Sequence, residues 1–116
     1  MYLVDRTAAV LKPTETFLQW LQKTDEEMPE LTLSQLRANC TVFLLPLFDE
    51  PEEVVVYFNE RFEEIFEAEL SSWTIDDHAW PELNLDLFWQ FFELEVHDTV
   101  LDLEESDLEN MPVFEA

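Results

Sequence analysis

Carboxylates are the side chains of this sequence with the most chemistry to offer. The 116 residues include 28 Asp and Glu against five Lys and Arg, a formal net charge of −23. Acid-base catalysis needs two carboxyl groups whose environments separate their pKa values. A chain this rich in acids brings carboxylates together by chance, so pairs of them do not identify a catalytic site. We therefore predict no catalytic residues and expect the protein not to be an enzyme.

Two acidic segments that contain a histidine could bind a divalent cation through oxygen and imidazole ligands. The first group is Asp76, Asp77, His78 and Glu82, and the second is Glu93, His97 and Asp98. Neither matches the calcium loop of EF-hands, whose sharp turn requires glycine. Ordinary surface positions are the favoured interpretation, so we predict no metal and no cofactor. A metal-binding protein or metal-dependent enzyme using the first group is the alternative.

Missing residue types exclude several familiar sites. The chain has no glycine, so it cannot form a GxxxxGK[ST] phosphate loop, a GxGxxG dinucleotide turn or a GxSxG nucleophile elbow. Its single cysteine, Cys40, excludes an intramolecular disulfide and multi-cysteine zinc sites. We expect Cys40 to be a small buried apolar residue.

The acidic excess is concentrated in the second part of the chain. Residues 1–48 hold six acids and four bases, whereas residues 49–116 hold 22 acids and one base. A net charge of about 2 to 8 in magnitude suffices to keep a small domain in solution. Self-repulsion on this scale opposes a compact state, which favours a functional explanation. Five scattered cations cannot neutralise a track of phosphates, so we expect no direct binding of nucleic acid or anionic membranes.

The densest group of acids falls on a predicted helix. Residues 50–71 are expected to form one long helix, with Pro51 in its first turn and a capping box from Asp49 and Glu52. Helical spacing assigns its buried face to Val55, Phe58, Phe62, Ile65 and Phe66. The exposed face then carries five acids: Glu53, Glu60, Glu63, Glu64 and Glu67. We call these five residues the glutamate stripe.

Two tryptophans, Trp73 and Trp80, follow this helix in a largely acidic segment. An exposed indole in an acidic field can bind Arg or Lys of a partner through cation-π contacts and ion pairs together. Indoles also bury readily, so closure of the core is the other interpretation. The predicted partner-binding residues are therefore the glutamate stripe together with Trp73 and Trp80.

The remaining patterns predict further strands and helices. Strands are expected at 3–11 and 40–48, the second of them buried, and helices at 14–23 and 32–38. Thr32 and Gln35 give the shorter helix a capping box. The segment from Leu85 to Leu103 fits either a helix or a strand. We favour a short helix to about Phe91, followed by a strand with a bulge.

Together these elements predict a single small domain of the α+β class, an α/β sandwich at residues 1–104. A three-stranded mixed sheet would pack against the long acidic helix and two or three shorter helices. Residues 105–116 are expected to form an acidic, partly disordered tail, in which Ser106 and Glu109 could cap one more turn. The chain has no run of 18 apolar residues, and Asp5 and Arg6 interrupt its start, so we expect a cytoplasmic protein.

Charge is thus the feature on which a functional hypothesis can be built. We expect a non-enzymatic interaction domain that binds a basic protein surface. B-DNA carries about one charge per 1.7 Å, so the net charge corresponds to roughly 39 Å of duplex, close to the roughly 35 Å diameter of a globule of this size. A DNA mimic that regulates a nucleic-acid-binding protein is therefore the sharpest version. An acidic structural domain whose charge only prevents aggregation is a further alternative.

Overall fold

The computed structural model describes residues 1–24, 30–73 and 80–113. Within these ranges it contains five strands and five helices. The strands are β1 (Tyr2–Leu3), β2 (Thr7–Pro13), β3 (Thr41–Leu45), β4 (Phe92–His97) and β5 (Leu101–Asp102). The helices are α1 (Glu15–Thr24), α2 (Leu33–Arg37), α3 (Pro51–Asn59), α4 (Phe62–Ser71) and α5 (Leu85–Phe91). None of these helices has the length and apolar content needed to cross a membrane.

The main sheet has three strands in the order β3-β2-β4, and β1 and β5 form a separate pair. Helices combined with this small sheet confirm the predicted α+β class. The sheet is not mixed, however, because β2 pairs antiparallel with both of its neighbours. A parallel neighbour needs a crossover that returns the chain in its original direction, commonly through one helix. Here two helices, α1 and α2, separate β2 from β3, and the chain re-enters the sheet reversed.

One face of the sheet packs against the helices and forms the core. Ala9 and Leu11 of the central strand are 0% and 1% exposed there. The core is largely aromatic: the ring centre of Phe66 lies 5.5 Å from that of Phe88, which lies 5.3 Å from that of Phe92. Burial of each such ring stabilises the fold by about 1.5–3 kcal/mol. This aromatic layer fixes α4 and α5 on the sheet.

The opposite face of the sheet carries eight side chains that do not belong to this core: Ala8, Val10, Lys12, Val42, Leu44, Glu93, Glu95 and His97. Val42 and Leu44 are 59% and 48% exposed, so the prediction of a buried strand at 40–48 was wrong. The apolar run has the composition of a strand enclosed on both faces. Because the helices pack on one face of the sheet, β3 meets the core with only one of its two faces.

The predicted long helix is two helices, α3 and α4, separated by Glu60 and Arg61. Arg61 has φ −127° and ψ 13°, outside helical geometry, and its N–H donates to Phe58 O, three residues back. In an unbroken helix that N–H would bond Tyr57 O, four residues back. The Arg61 guanidinium donates to Tyr57 O instead, at 3.2 Å, and so satisfies the carbonyl that the break leaves free.

The break and the start of α3 correct two details of the predicted helix. Val54 is buried at 1% exposure, whereas Val55, which we predicted to be buried, is 40% exposed. Val54 and Phe58 lie four residues apart, and the rotation that buries both turns Val55 outward. Pro51 occupies the first turn as expected, but the N-cap is Glu50 and makes no side-chain cap hydrogen bond. The predicted capping box of Asp49 and Glu52 is therefore wrong.

The segment from Leu85 to Leu103 confirms part of the favoured prediction, a short helix followed by a strand with a bulge. Helix α5 ends at Phe91 and β4 begins at Phe92, as expected. The bulge is wrong, because the β2–β4 register is continuous from Ala8↔His97 to Pro13↔Phe92. The chain leaves the sheet after His97, and β5 pairs with β1 instead. Residues 103–113 are exposed and contain no helix or strand, so the turn capped by Ser106 and Glu109 does not form.

Candidate functional site

The glutamate stripe lies on the surface of α3, of α4 and of the turn that joins them. Its five members are all exposed: Glu53, Glu60, Glu63, Glu64 and Glu67. The local sequence causes this exposure because two apolar pairs at four-residue spacing fix the rotation of the helices. Val54 with Phe58 and Phe66 with Leu70 are each no more than 1% exposed, and the glutamates project away from them.

The stripe is continuous even though the helix is broken. Glu53 and Glu60 border one shallow hollow beside Tyr57, and Glu60, Glu63 and Glu64 surround a second hollow. Glu67 lies three and four residues beyond Glu64 and Glu63, the spacing of neighbours on a helix surface. The five carboxylates therefore form one acidic surface rather than separate charges on different sides of the molecule.

Arg61 is the only Lys or Arg of residues 49–116, and its side chain contacts two neighbouring residues, Tyr57 and Glu60. Its guanidinium carbon lies 3.6 Å from the centre of the Tyr57 ring, and its Nη1 lies 3.5 Å from Glu60 Oε2. Across residues 1–24, 30–73 and 80–113, the other four stripe glutamates form no ion pair. Most of the negative charge of the stripe is thus left without a neighbouring cation.

Acids on β4 have different surroundings. Glu93 Oε1 lies 2.8 Å from Arg37 Nη2, while Glu95 lies 3.9 Å from Lys12 Nζ and 3.0 Å from His97 Nε2. The hydrogen bond with His97, and then the charge of Lys12, lower the pKa of Glu95. Glu93 is thus paired with a cation from α2, and Glu95 with Lys12 and His97 of the same sheet face.

Of the two groups considered as metal ligands, only the second, Glu93, His97 and Asp98, lies wholly within the described residues, and its members do not form a metal site there. Glu93 and His97 bind other side chains, and Asp98 accepts a hydrogen bond from Thr99 at 3.3 Å. In the part of the chain that the structure describes, no group of three or more acidic, His or Cys side chains could hold a metal ion. Asp76, Asp77 and His78 lie outside the described residues, and Glu82 is exposed.

The two predicted aromatic binding residues, Trp73 and Trp80, are half-buried and pack against the core. Trp80 Nε1 is buried and has no hydrogen-bond partner among the described residues. A third indole, Trp89, donates from Nε1 to Asn59 Oδ1 at 2.7 Å and ties α5 to α3. Most of the surface of Trp73 and Trp80 therefore serves the core, and only part of each ring is open to solvent.

A hollow of about 470 Å³ beside the stripe was not anticipated from the sequence. It lies between β3 and the two acidic helices, and its lining includes Phe43, Leu45, Tyr57, Arg61, Glu64, Ile65 and Ala68. Pro112 and Val113 of the chain's own tail also line it. Pro46 was the available signal, because a proline after an apolar run marks a sheet edge.

Glu69 is a second feature that the sequence did not single out. It is half-buried on α4, and burial raises the pKa of its carboxyl group, although a hydrogen bond with the Thr41 hydroxyl lowers it. Cys40, the residue before Thr41, is also half-buried rather than enclosed, and burial raises the pKa of its thiol. Helix α4 is thus tied to the start of the edge strand by a carboxylate outside the stripe.

No protein-family model, curated protein or solved structure matches this chain. Its chemistry must therefore be argued from its own residues. The described features combine a continuous acidic surface, an apolar hollow at its border and an exposed edge strand.

Proposed function

We propose that this chain is a non-enzymatic interaction domain of the cytoplasm that binds a basic surface of a partner protein through the glutamate stripe. The observation that carries the proposal is the continuous run of exposed carboxylates over α3 and α4. Its single local cation, Arg61, is already held against Tyr57 and Glu60. The stripe therefore has negative potential available for an incoming cation.

The energetics of the stripe support a role in binding. Like charges four residues apart on a helix, as in Glu63–Glu67 of α4, cost a few tenths of a kcal/mol per pair. A cationic partner surface would convert this repulsion into attraction and would raise the rate of association through long-range steering. Rim contacts would come from the exposed parts of Trp73 and Trp80.

A nucleic-acid-binding protein is the partner class that the dimensions favour. The described molecule measures 44 × 33 × 29 Å, and a duplex with the same net charge would be roughly 39 Å long. A protein surface that binds DNA phosphates through Lys and Arg would therefore find on this chain a negative charge and a length similar to those of the duplex. In this version of the proposal, the chain acts as a DNA mimic and does not itself bind nucleic acid.

Capture of partners from a cell lysate at low salt, with a pair of matched variants, tests this proposal. The stripe variant replaces four glutamates by glutamine, at positions 53, 63, 64 and 67. The control replaces four exposed acids elsewhere, Glu15→Gln, Glu104→Gln, Asp107→Asn and Glu109→Gln, and changes the net charge equally. The proposal expects the stripe variant to lose a partner that the control retains.

Two further conditions sharpen the result. Raising the salt by a few hundred millimolar should release the partner, because screening shortens the range of surface charges. Added duplex DNA should displace it if the partner binds nucleic acid. Capture that resists salt, or that is equal for both variants, would count against the glutamate stripe as the binding surface.

A further inference from the structure

The outer edge of β3 is an unusual surface for so charged a protein. Residues 40–48 contain no charged side chain, and Val42, Leu44 and Leu47 are 59%, 48% and 62% exposed. Edge strands are ordinarily protected by charges, proline or a covering element, because their free N–H and C=O groups can pair with another chain. Pro46 follows β3, but no charge interrupts the strand itself.

The N–H and C=O groups on the outer edge of β3 can pair with one more strand. Among the described residues, β3 pairs only with β2, and no other backbone hydrogen bond to residues 41–45 occurs there. A strand of five residues offers a template of about 17 Å. Added strands gain affinity from main-chain hydrogen bonds and specificity from alternate side chains.

The apolar hollow of about 470 Å³ lies along this edge, and its composition indicates what could occupy it. Phe43, Leu45 and Ile65 supply apolar surface, whereas Glu64 brings one end of the glutamate stripe to its border. Pro112 and Val113, from a segment without helix or strand, already line the hollow. The hollow thus accepts irregular chain, and its acidic border favours a cationic occupant.

We infer that β3 and this hollow bind an extended segment of the basic partner, which adds to the sheet as a fourth strand. One alternate set of its side chains would face the hollow, with an apolar residue entering it and a Lys or Arg reaching Glu64. The other set would be apolar and would cover Val42 and Leu44 on the opposite face of the sheet. A second copy of this chain is the poorer occupant, because each copy carries a net charge of −23 and pairing at β3 would bring two acidic surfaces together. The inference rests on the proposed function and specifies how the partner is bound.

The test uses the full chain and a capped peptide of about seven residues, in which one alternate set of residues is Val throughout and the other set combines Val with Lys. Binding is measured by titration, and amide hydrogen exchange is followed at residues 41–45. We expect outward-facing amides of β3 to become protected. Two N-methylated peptides are the control, each lacking one alternate set of N–H donors, because an added strand donates to β3 through one set only. Methylation of that set should abolish binding, whereas methylation of the other should leave it nearly unchanged.

Variants of the protein separate this inference from the proposed function. Val42→Lys with Leu44→Lys should weaken peptide binding by about tenfold or more, because the new charges repel the peptide. The matched control is Leu3→Lys with Leu103→Lys, at residues that are 74% and 72% exposed. It changes the charge equally and should bind the peptide nearly as well as the unaltered chain.

Four outcomes would overturn the inference. Equal binding by both N-methylated peptides would show that no strand is added, and protection of β3 in the free chain together with dimer formation would assign the edge to a second copy. Loss of partner capture by the stripe variant but not by the Val42→Lys, Leu44→Lys variant would leave the proposed function standing without the added strand. Loss of capture by neither variant would remove both proposals.

Discussion

Two acidic surfaces of this protein, on β4 and on the α3–α4 helices, differ in what surrounds their carboxylates. Glu93 and Glu95 of β4 contact Arg37, Lys12 and His97. Among the described residues, Glu60, in the turn between the two helices, is the only member of the glutamate stripe that forms an ion pair, with Arg61 at 3.5 Å. The same residue type is therefore neutralised at one site and left as net charge at the other.

The difference arises from where the few cations lie in the chain. Four of the five Lys and Arg residues precede residue 49, and two of them reach β4 because β2 and α2 pack beside it. Exposed ion pairs of this kind contribute about 0–1 kcal/mol to stability, so their main consequence is a weaker field over the sheet. What distinguishes the glutamate stripe is the lack of such neighbours rather than its number of acids.

The largest change in stability is expected when the buried side chain that holds α4, and with it the glutamate stripe, against the core is removed. Phe66 is fully buried on the inner face of α4. Phe66→Ala should destabilise the protein by about 3–5 kcal/mol, because apolar burial is lost and a cavity remains. Denaturant unfolding measures this change. Val56→Ala on α3, at a side chain 54% exposed, is the control and should change stability by less than about 0.5 kcal/mol. Similar losses for the two variants would contradict the assigned core.

The pH dependence of Glu69 and Glu95 should differ in sign. Because burial raises the pKa of Glu69, its contribution to stability is present below the unfolded pKa, about 4.3, and is lost as pH rises through the folded value. Glu69→Gln can still accept the Thr41 hydrogen bond. It should raise the melting temperature by a few degrees at pH 7, and the gain should disappear on acidification.

Glu95 provides the opposite case, since the His97 hydrogen bond, and then Lys12, lower its pKa. Its contribution is present above the unfolded pKa and is lost as pH falls through the folded value. Glu95→Gln should therefore lower the melting temperature at pH 7, by an amount that decreases as the pH falls. Melting curves between pH 3 and pH 7 test both substitutions, and parallel profiles for the two would reject the contrast.

Neutralising the stripe should stabilise the isolated protein by a smaller amount. Glu67→Gln removes the like-charge pairs of Glu67 with Glu63 and Glu64 on α4, for a gain of about 0.5 kcal/mol at low salt. Glu93→Gln, which breaks the pair with Arg37, should change stability in the opposite direction. Unfolding free energies at low and high salt provide the measurement. A loss of stability in the Glu67→Gln variant would mean that this glutamate has favourable contacts.

Arg61→Lys should give the smallest change. Lysine keeps the charge but loses the planar contact with Tyr57, a cation-π contact worth about 0.5–1 kcal/mol at an exposed site. Lysine can still place its charge over the ring, so we expect a stability loss below about 0.5 kcal/mol. Partner capture should be unchanged, because net charge is preserved. Arg61→Gln is the paired variant, and its extra unit of net negative charge should make capture more sensitive to salt. Identical salt responses in the two variants would argue against Arg61 as the local counter-charge.

Local signals in the sequence predicted part of the fold. Thr32 and Gln35 form the expected capping box at the start of α2, and the change from α5 to β4 falls where the hydrophobic period changes. The unbroken long helix and the buried β3 were wrong because both depend on tertiary neighbours. Side-chain spacing does not report that Arg61 can take over the Tyr57 carbonyl. An apolar run likewise does not reveal how many of its faces are covered.

The sequence by itself determined that the five stripe glutamates would be exposed, because helical spacing places them away from Phe58 and Phe66 within a single segment. It also determined the net charge, which is a property of composition. Only the tertiary structure decided which acids have cationic neighbours, since Arg37 and Glu93 are separated by 56 residues and meet through the packing of α2 beside the sheet. It also decided that β3 has a free edge beside the stripe, because strand order depends on long-range pairing rather than on local side-chain pattern.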